Sequence, residues 1–247
     1  MIVLFTDFGL AGPYTGQVNA VLQRDAPGVP IIQLFADAPA GHPKPAGYLL
    51  AAYATWFPAA TIFLCVVDPG VGGDRRALIV EADDRLYVGP DNGLFELVRR
   101  RAAAAPRCWE IAWRPPFLSA SFHGRDLFAP VAARLARGEA PPSLAQPAAA
   151  TEYRDWPDDL GEIVYIDHYG NALTGLRGAN LPESATIVTG GIRGETRAIG
   201  HAAVFSAAAP GTAFWYVNSN GLVEIAVSAG RADQALGLAV ASPVAIE

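Results

Sequence analysis

The run Thr61-Ile-Phe-Leu-Cys-Val-Val67 constrains this chain more than any other segment. It is apolar without alternation, so a strand built from it has no face to give to water and must be covered on both sides. A mainly parallel sheet with helices on both faces provides that cover. The flanking pattern agrees. Residues 2–5 and 29–35 are compact strand candidates, and 77–81 and 85–88 read as two strands joined by the Asp83-Asp84 turn. Helical stretches are expected over about 14–24, 45–57, 94–103 and 125–137, with Pro45 suited to a first turn.

The second half reads differently. Around residues 138–150 the composition shifts to Ala, Pro and Ser. Beyond it, short strand candidates at 162–166, 185–188, 197–199, 213–217 and 222–227 are separated by Gly, Asn and Pro turns, the pattern of a small β-barrel or sandwich. The expectation is an α/β chain with an N-terminal domain over residues 1–145, a linker over 146–157 and a smaller β-barrel-like domain over 158–247. With 51% hydrophobic and 17% charged residues in 247, there is core material for both domains and no case for global disorder.

A net charge of −6 argues against a nucleic-acid partner, which needs a basic face. The Arg99-Arg-Arg101 run falls where a helix is expected to end, an ordinary place for cations. No segment approaches the ~20 apolar residues of a membrane span, and Met1-Ile-Val-Leu-Phe-Thr-Asp7 lacks the features of a signal peptide, so the reading is of a cytoplasmic protein with no membrane partner. The two cysteines, Cys65 and Cys108, suggest neither a disulfide framework nor a zinc site, and no Gly-x-Ser-x-Gly elbow is present. No metal and no cofactor is expected.

In parallel α/β sheets ligands bind beyond the carboxyl ends of the strands. That rule selects Thr6-Asp-Phe-Gly9, Asp68-Pro-Gly-Val-Gly-Gly73 and Gly89-Pro-Asp-Asn-Gly93, each a carboxylate among turn residues. Asp7 alone would read as a cap, but a second acid in the equivalent place, Asp68, makes a shared cleft as good a reading. Either acid suits a ribose diol. The Gly70-Val-Gly-Gly73 stretch lacks the Lys-Ser/Thr ending of a phosphate loop. Arg75 and Arg76 follow it, and at least one of them reads as a plain surface arginine. His123, in Ser121-Phe-His-Gly-Arg-Asp126, starts a helix whose N-terminus disfavours its protonated form. His42 and His201 read as solvated, and His168 as part of a turn.

These motifs, with Asp167-His-Tyr-Gly-Asn171 and Asn218-Ser-Asn-Gly221 after them, occur in an order that resembles the S-adenosyl-L-methionine hydroxide adenosyltransferase family, relatives of the fluorinases and chlorinases. The resemblance runs from residue 1 to about residue 230. It implies an N-terminal α/β domain, a C-terminal β-barrel-like domain and a homotrimer whose active sites lie at subunit interfaces. It implies hydrolysis of S-adenosyl-L-methionine, the only small-molecule partner expected, to adenosine and methionine. The family's catalytic Asp–Arg–His set falls on Asp68, Arg75 and His123. Asp7 matches the ribose-diol carboxylate, Asn171 an adenine contact of the neighbouring subunit, and Asp167 and Ser219 contacts to the methionine amino and carboxylate groups. Ala229 falls where a backbone contact to adenine is expected.

The same resemblance separates hydrolase from halogenase. The halogenases carry Tyr-Ser or Tyr-Gly where this chain has His123-Gly124, and they lack the acid at position 68. A halide needs a dry hole with few donors, whereas an acid, a guanidinium and an imidazole together orient water. A binding-only sensor of adenosine or its methionine-linked precursor would not need that set. Three departures concern substrate grip: Leu10-Ala-Gly-Pro13 replaces an acidic residue after Gly9, Gly41-His-Pro-Lys-Pro45 has no aromatic to set against the ribose, and Asn220 stands where halogenases have an arginine.

Overall fold

The computed structural model describes residues 1–190 and 196–247, and the chain forms two compact units, Met1–Tyr153 and Arg154–Glu247. The first is built on a seven-stranded sheet of β1 (Ile2–Thr6), β2 (Ile31–Phe35), β3 (Ile62–Val66), β4 (Ala77–Ala82), β5 (Arg85–Pro90), β6 (Arg107–Ile111) and β7 (Ala145–Pro147), in the order β2-β1-β3-β5-β4-β6-β7. β2, β1, β3 and β5 run parallel, while β4, β6 and β7 extend the sheet antiparallel. Every residue of β3 is buried, as its unbroken apolar sequence requires.

Alternate residues serve the two faces. Ile2, Leu4, Ile62, Leu64 and Val66 face α1 (Tyr14–Asp25) and α4 (Ala129–Ala136), where Val18, Leu22 and Val131 complete the core. Alanines 129, 132 and 133 give α4 the close approach that a larger side chain would prevent. On the opposite face Phe63 stacks on Tyr87, ring centres 5.0 Å apart, beside Phe57 and Phe95, under α2 (Pro43–Tyr53) and α3 (Glu96–Arg100). The β4–β5 hairpin turns on Asp83 and Asp84, with φ of 48° and 58°, the left-handed pair a two-residue hairpin needs.

Several features of the first unit depart from the sequence reading. The helix expected from residue 125 opens as a π-helical turn over Gly124–Phe128 before α4. β6 and β7 were not anticipated. Chain assigned to a linker by composition stays on the sheet, because β7 pairs with β6 and Thr151 is fixed by Asp91, whose carboxylate accepts the Thr151 N–H (3.0 Å) and hydroxyl (2.9 Å).

The second unit contains β8 (Leu160–Ile166), β9 (Ala172–Arg177), β10 (Ile187–Gly190), β11 (Thr196–Ile199), β12 (Ala213–Val217), β13 (Leu222–Val227), α5 (Ala232–Leu236) and β14 (Val244–Ile246). Its sheets, β12-β13-β9-β8 and β11-β10-β14, are antiparallel. Bridges between Glu162 and Pro243 and between His201 and Trp215 join them at both edges, which closes a barrel. Trp215 is fully buried at its centre and donates its indole N–H to the Ala185 carbonyl at 3.0 Å. His201 is therefore half-buried against Trp215, ring centres 4.5 Å apart, rather than solvated. Among the described residues no helix is long and apolar enough to cross a membrane.

Candidate active site

Because β1, β3 and β5 are adjacent and parallel, the segments after them line up along one sheet edge. Asp7 follows β1 and its backbone N–H bonds the Val66 carbonyl at 3.2 Å, so its carboxylate stands next to the start of the loop after β3. Gly9 donates to Ala36 (2.6 Å), and Gly41 donates to Asp7 Oδ2 (2.9 Å), bringing the loop after β2 alongside. Asn92, after β5, donates its amide to the Val67 carbonyl at 2.8 Å. Burial raises the Asp7 carboxyl above its ordinary range, the Gly41 N–H opposes this, and the neighbouring charge of Asp68 adds to the rise.

The loop after β3 doubles back through two tight turns, Val71 N–H to Asp68 O (3.3 Å) and Gly73 N–H to Gly70 O (3.0 Å). Gly72 has φ +79°, and a Cβ there would lie 2.2 Å from the Ala120 carbonyl oxygen, so only glycine lets this loop touch the one carrying His123. The doubling returns Arg75 over Asp68. Arg75 Nε lies 3.0 Å from both carboxylate oxygens, and Nη2 donates to Oδ2 as well. The same Nη2 meets His123 Nδ1 at 3.0 Å, and the guanidinium lies over the Phe128 ring at 5.3 Å. Side-chain exposure is 3% for Asp68 and 12% for Arg75, so this is a desolvated pair rather than a surface one.

A guanidinium has donors only, so His123 Nδ1 must accept, and in the neutral ring the proton sits on Nε2. Burial first, and then the Arg75 charge, hold the imidazolium below its ordinary range of about 6.5, against the pull of Asp68. A helix N-terminus is not what lowers it. The cause is instead burial and the arginine, and His123 precedes a π-helical turn, a feature often found at functional sites. A cavity of about 220 Å³ is lined by Arg75 and His123 together with Asp74, Glu110 and Arg114, while Asp68 and Asp7 lie outside its lining. A larger cleft of about 630 Å³ lies on the flank by α1 and α4 and contains none of the predicted site residues.

The neighbouring charges that the sequence singled out have other work. Arg76 pairs with Asp91 (Nε to Oδ2, 3.0 Å) and so belongs to the clamp on Thr151. Arg125 holds Asp126 (2.6 Å) and Gln17 (2.8 Å), while Asp126 accepts the Ser119 N–H at 3.0 Å and fixes the turn leading to His123.

In the second unit, Asp167 and Asn171 close a turn. The Asn171 N–H donates to Asp167 Oδ1 (2.8 Å) and its amide to Oδ2 (3.2 Å). Ser219 is exposed in the turn between β12 and β13, and Ala229 is exposed after β13 with φ 53°. Sequence reasoning missed Glu224, a buried carboxylate bonded to Tyr216 and Asn218; within an apolar strand it had been counted as part of the pattern. Among the described residues no group of three or more His, Cys, Asp or Glu is arranged to hold a metal.

Comparison with known proteins follows the same division. The model of the SAM hydroxide adenosyltransferase N-terminal domain matches residues 2–145, and that of the C-terminal domain matches residues 161–245. A Thermus thermophilus protein named (R)-S-adenosyl-L-methionine hydrolase is 37% identical, with 98% of each chain covered. A Salinispora arenicola protein of the same name is 37% identical over 94% of this chain and 92% of its own. The crystal structure of an uncharacterized conserved protein from Thermotoga maritima superposes with a TM-score of 0.88 at 28% identity, covering 100% of this chain and 99% of that one. With both family models matched in order over nearly the whole length, the chain belongs to the SAM hydroxide adenosyltransferase family.

Proposed function

We propose that this protein hydrolyses S-adenosyl-L-methionine to adenosine and L-methionine by in-line attack of water on the ribose 5′ carbon. The observation that carries the reading is the single guanidinium of Arg75 bonded to both Asp68 and His123. The name shared by relatives at 37% identity supports the substrate. The sulfonium leaves as a neutral thioether and takes the C–S electron pair with it, so no acid is needed to protonate it and no metal or cofactor to draw charge from it. What remains is to place water opposite sulfur and remove its proton.

The geometry supports separate roles. With Nδ1 accepting from Arg75, His123 offers Nε2–H as a donor to the water oxygen. Arg75 adds positive potential where hydroxide character develops. Asp68 is the acceptor of the set and takes the proton. Asp7, with Oδ2 occupied by Gly41, has its other oxygen for the ribose diol. Asn171 and the Ala229 backbone would hold adenine, and Asp167 and Ser219 the methionine amino and carboxylate groups. The protein would act in the cytoplasm as a homotrimer in which one subunit's Asp68 set works with its neighbour's Asn171 turn. Halogenation is disfavoured by the same donors and acid, which hold water rather than a bare halide.

Replacing Asp68 or His123 by Ala should lower kcat by about 100-fold or more, with adenosine affinity kept within about threefold. Product chromatography and calorimetry check this, and equal losses in both would reduce these residues to pocket walls. Because protonation would put an Nδ1–H against the Arg75 donor, kcat/KM should hold above pH 7 and fall as pH drops through a pKa below 6.5. A limb centred above pH 7 that disappears in His123→Gln would contradict the neutral-donor role. Mixing Asp68→Ala with Asn171→Ala subunits should restore part of the activity that each lacks alone. Mixtures as inactive as their components would rule out sites shared between subunits.

A further inference from the structure

The cleft of about 630 Å³ beside α1 and α4 is left unused by the proposed chemistry. Its size lies within the range of about 300–1,000 Å³ typical of small-molecule sites. Two of its walls are helical. Arg24 and Asp25 come from the last turn of α1, while Arg134 and Arg137, three residues apart, share one face at the end of α4. Arg125 and Asp126 of the π-helical turn join them. The remaining side is the strap at 113–117, which is neither helix nor strand and contributes Trp113 and Phe117.

The charges in this cleft do not balance. Arg24 donates to Asp25 at 2.6 and 2.9 Å, Arg125 to Asp126 at 2.6 and 3.0 Å, and Arg134 to Glu139 at 2.7 and 2.6 Å. Arg137 donates instead to the backbone carbonyl of Asp25. Among the described residues, then, four guanidinia meet three carboxylates, a local positive surplus in a chain of net charge −6. A bidentate carboxylate engages only two of a guanidinium's five N–H groups, so donors as well as charge are left over. The two rings differ in their surroundings. Trp113 packs on the core and carries the Arg134 guanidinium over its face at 5.4 Å, whereas Phe117 is 74% exposed at the cleft. Pro115 and Pro116 restrict the backbone between them, so the Phe117 ring needs little ordering to receive a ligand.

We propose that this cleft is a second ligand site, for a ring-bearing anion of the nucleoside monophosphate class. The phosphate pairs with Arg137 and Arg24, which are neighbours because both bond Asp25, and the base lies against Phe117. A phosphate's three outer oxygens accept from two guanidinium forks at once, which the two in-plane oxygens of a carboxylate do less well. None of Asp68, Arg75 and His123 lines the cleft, so the site is separate from the reaction centre.

Guanosine monophosphate is the probe, because its base differs from that of the proposed substrate. Calorimetry on the full-length protein should give a Kd below about 1 mM, unchanged within about twofold when saturating adenosine fills the reaction centre. Guanosine, which lacks the phosphate, and inorganic phosphate, which lacks the ring, should each bind about tenfold more weakly or worse. Phe117→Ala should weaken the probe about fivefold and leave inorganic phosphate, followed by phosphorus NMR, within about twofold. Arg137→Gln should weaken both by about fivefold or more. Both side chains are exposed, so neither substitution disturbs the core, and release of adenosine from S-adenosyl-L-methionine should stay within about twofold of wild type. The proposal is overturned if the probe does not bind, which is also the outcome if another subunit covers the cleft. It is equally overturned if adenosine displaces the probe, if inorganic phosphate binds as well as the probe, or if either substitution leaves the probe's affinity unchanged. A wild-type protein that releases no adenosine would remove the proposed hydrolysis, while the probe and the two variants still judge the cleft.

Discussion

The guanidinium of Arg75 is the constraint on which the proposed chemistry depends. It holds the Asp68 carboxylate through two nitrogens, meets the His123 ring with one of them, and lies over Phe128. A lysine could carry the charge but not this fork, since a point charge has no fixed pair of directions. The pair is nearly out of solvent, so removing one partner would leave a buried charge uncompensated, at a cost of about 3–5 kcal/mol. The return for that exposure to loss is orientation: one planar group sets the acid, the imidazole tautomer and the local potential together.

The sheet makes this arrangement available. Parallel neighbours β1 and β3 end side by side, which brings Asp7 and Asp68 close together at one sheet edge. The glycine-rich loop then brings Arg75 back to its own strand end, and Gly72 permits contact with the segment carrying His123. That segment is anchored from behind by Asp126 and Arg125. In the second unit the pairing of β9 with β13 supports the turns at 167–171 and 218–221, and Glu224 accepts the amide of Asn218 in the second of them.

Much of this was legible in the sequence where local chemistry and global fold agree. The apolar run of β3, the Asp83-Asp84 turn and the acids at strand ends carry their own structural signal. So did the convergence of Asp68, Arg75 and His123, although only through the order of motifs, since residues 48 positions apart meet for tertiary reasons. Other elements were silent for physical reasons. β6 reads Arg-Cys-Trp-Glu-Ile and β9 Ala-Leu-Thr-Gly-Leu-Arg, with little β-branched character, so pairing partners rather than propensity make them strands. β7 sits in an Ala/Pro stretch that composition alone reads as linker. The π-helical turn before α4 has no single-residue signature, and Glu224 was hidden because a strand pattern says which side chain is polar but not what it holds.

The central claim is that water held by Asp68, Arg75 and His123 attacks the ribose carbon. Turnover of S-adenosyl-L-methionine by the wild-type protein in oxygen-18 water tests it most directly by mass spectrometry of both products. The account predicts one solvent oxygen at the 5′ hydroxyl of adenosine and none in methionine. Adenosine without the label, or a product cleaved on the other side of sulfur, would contradict it.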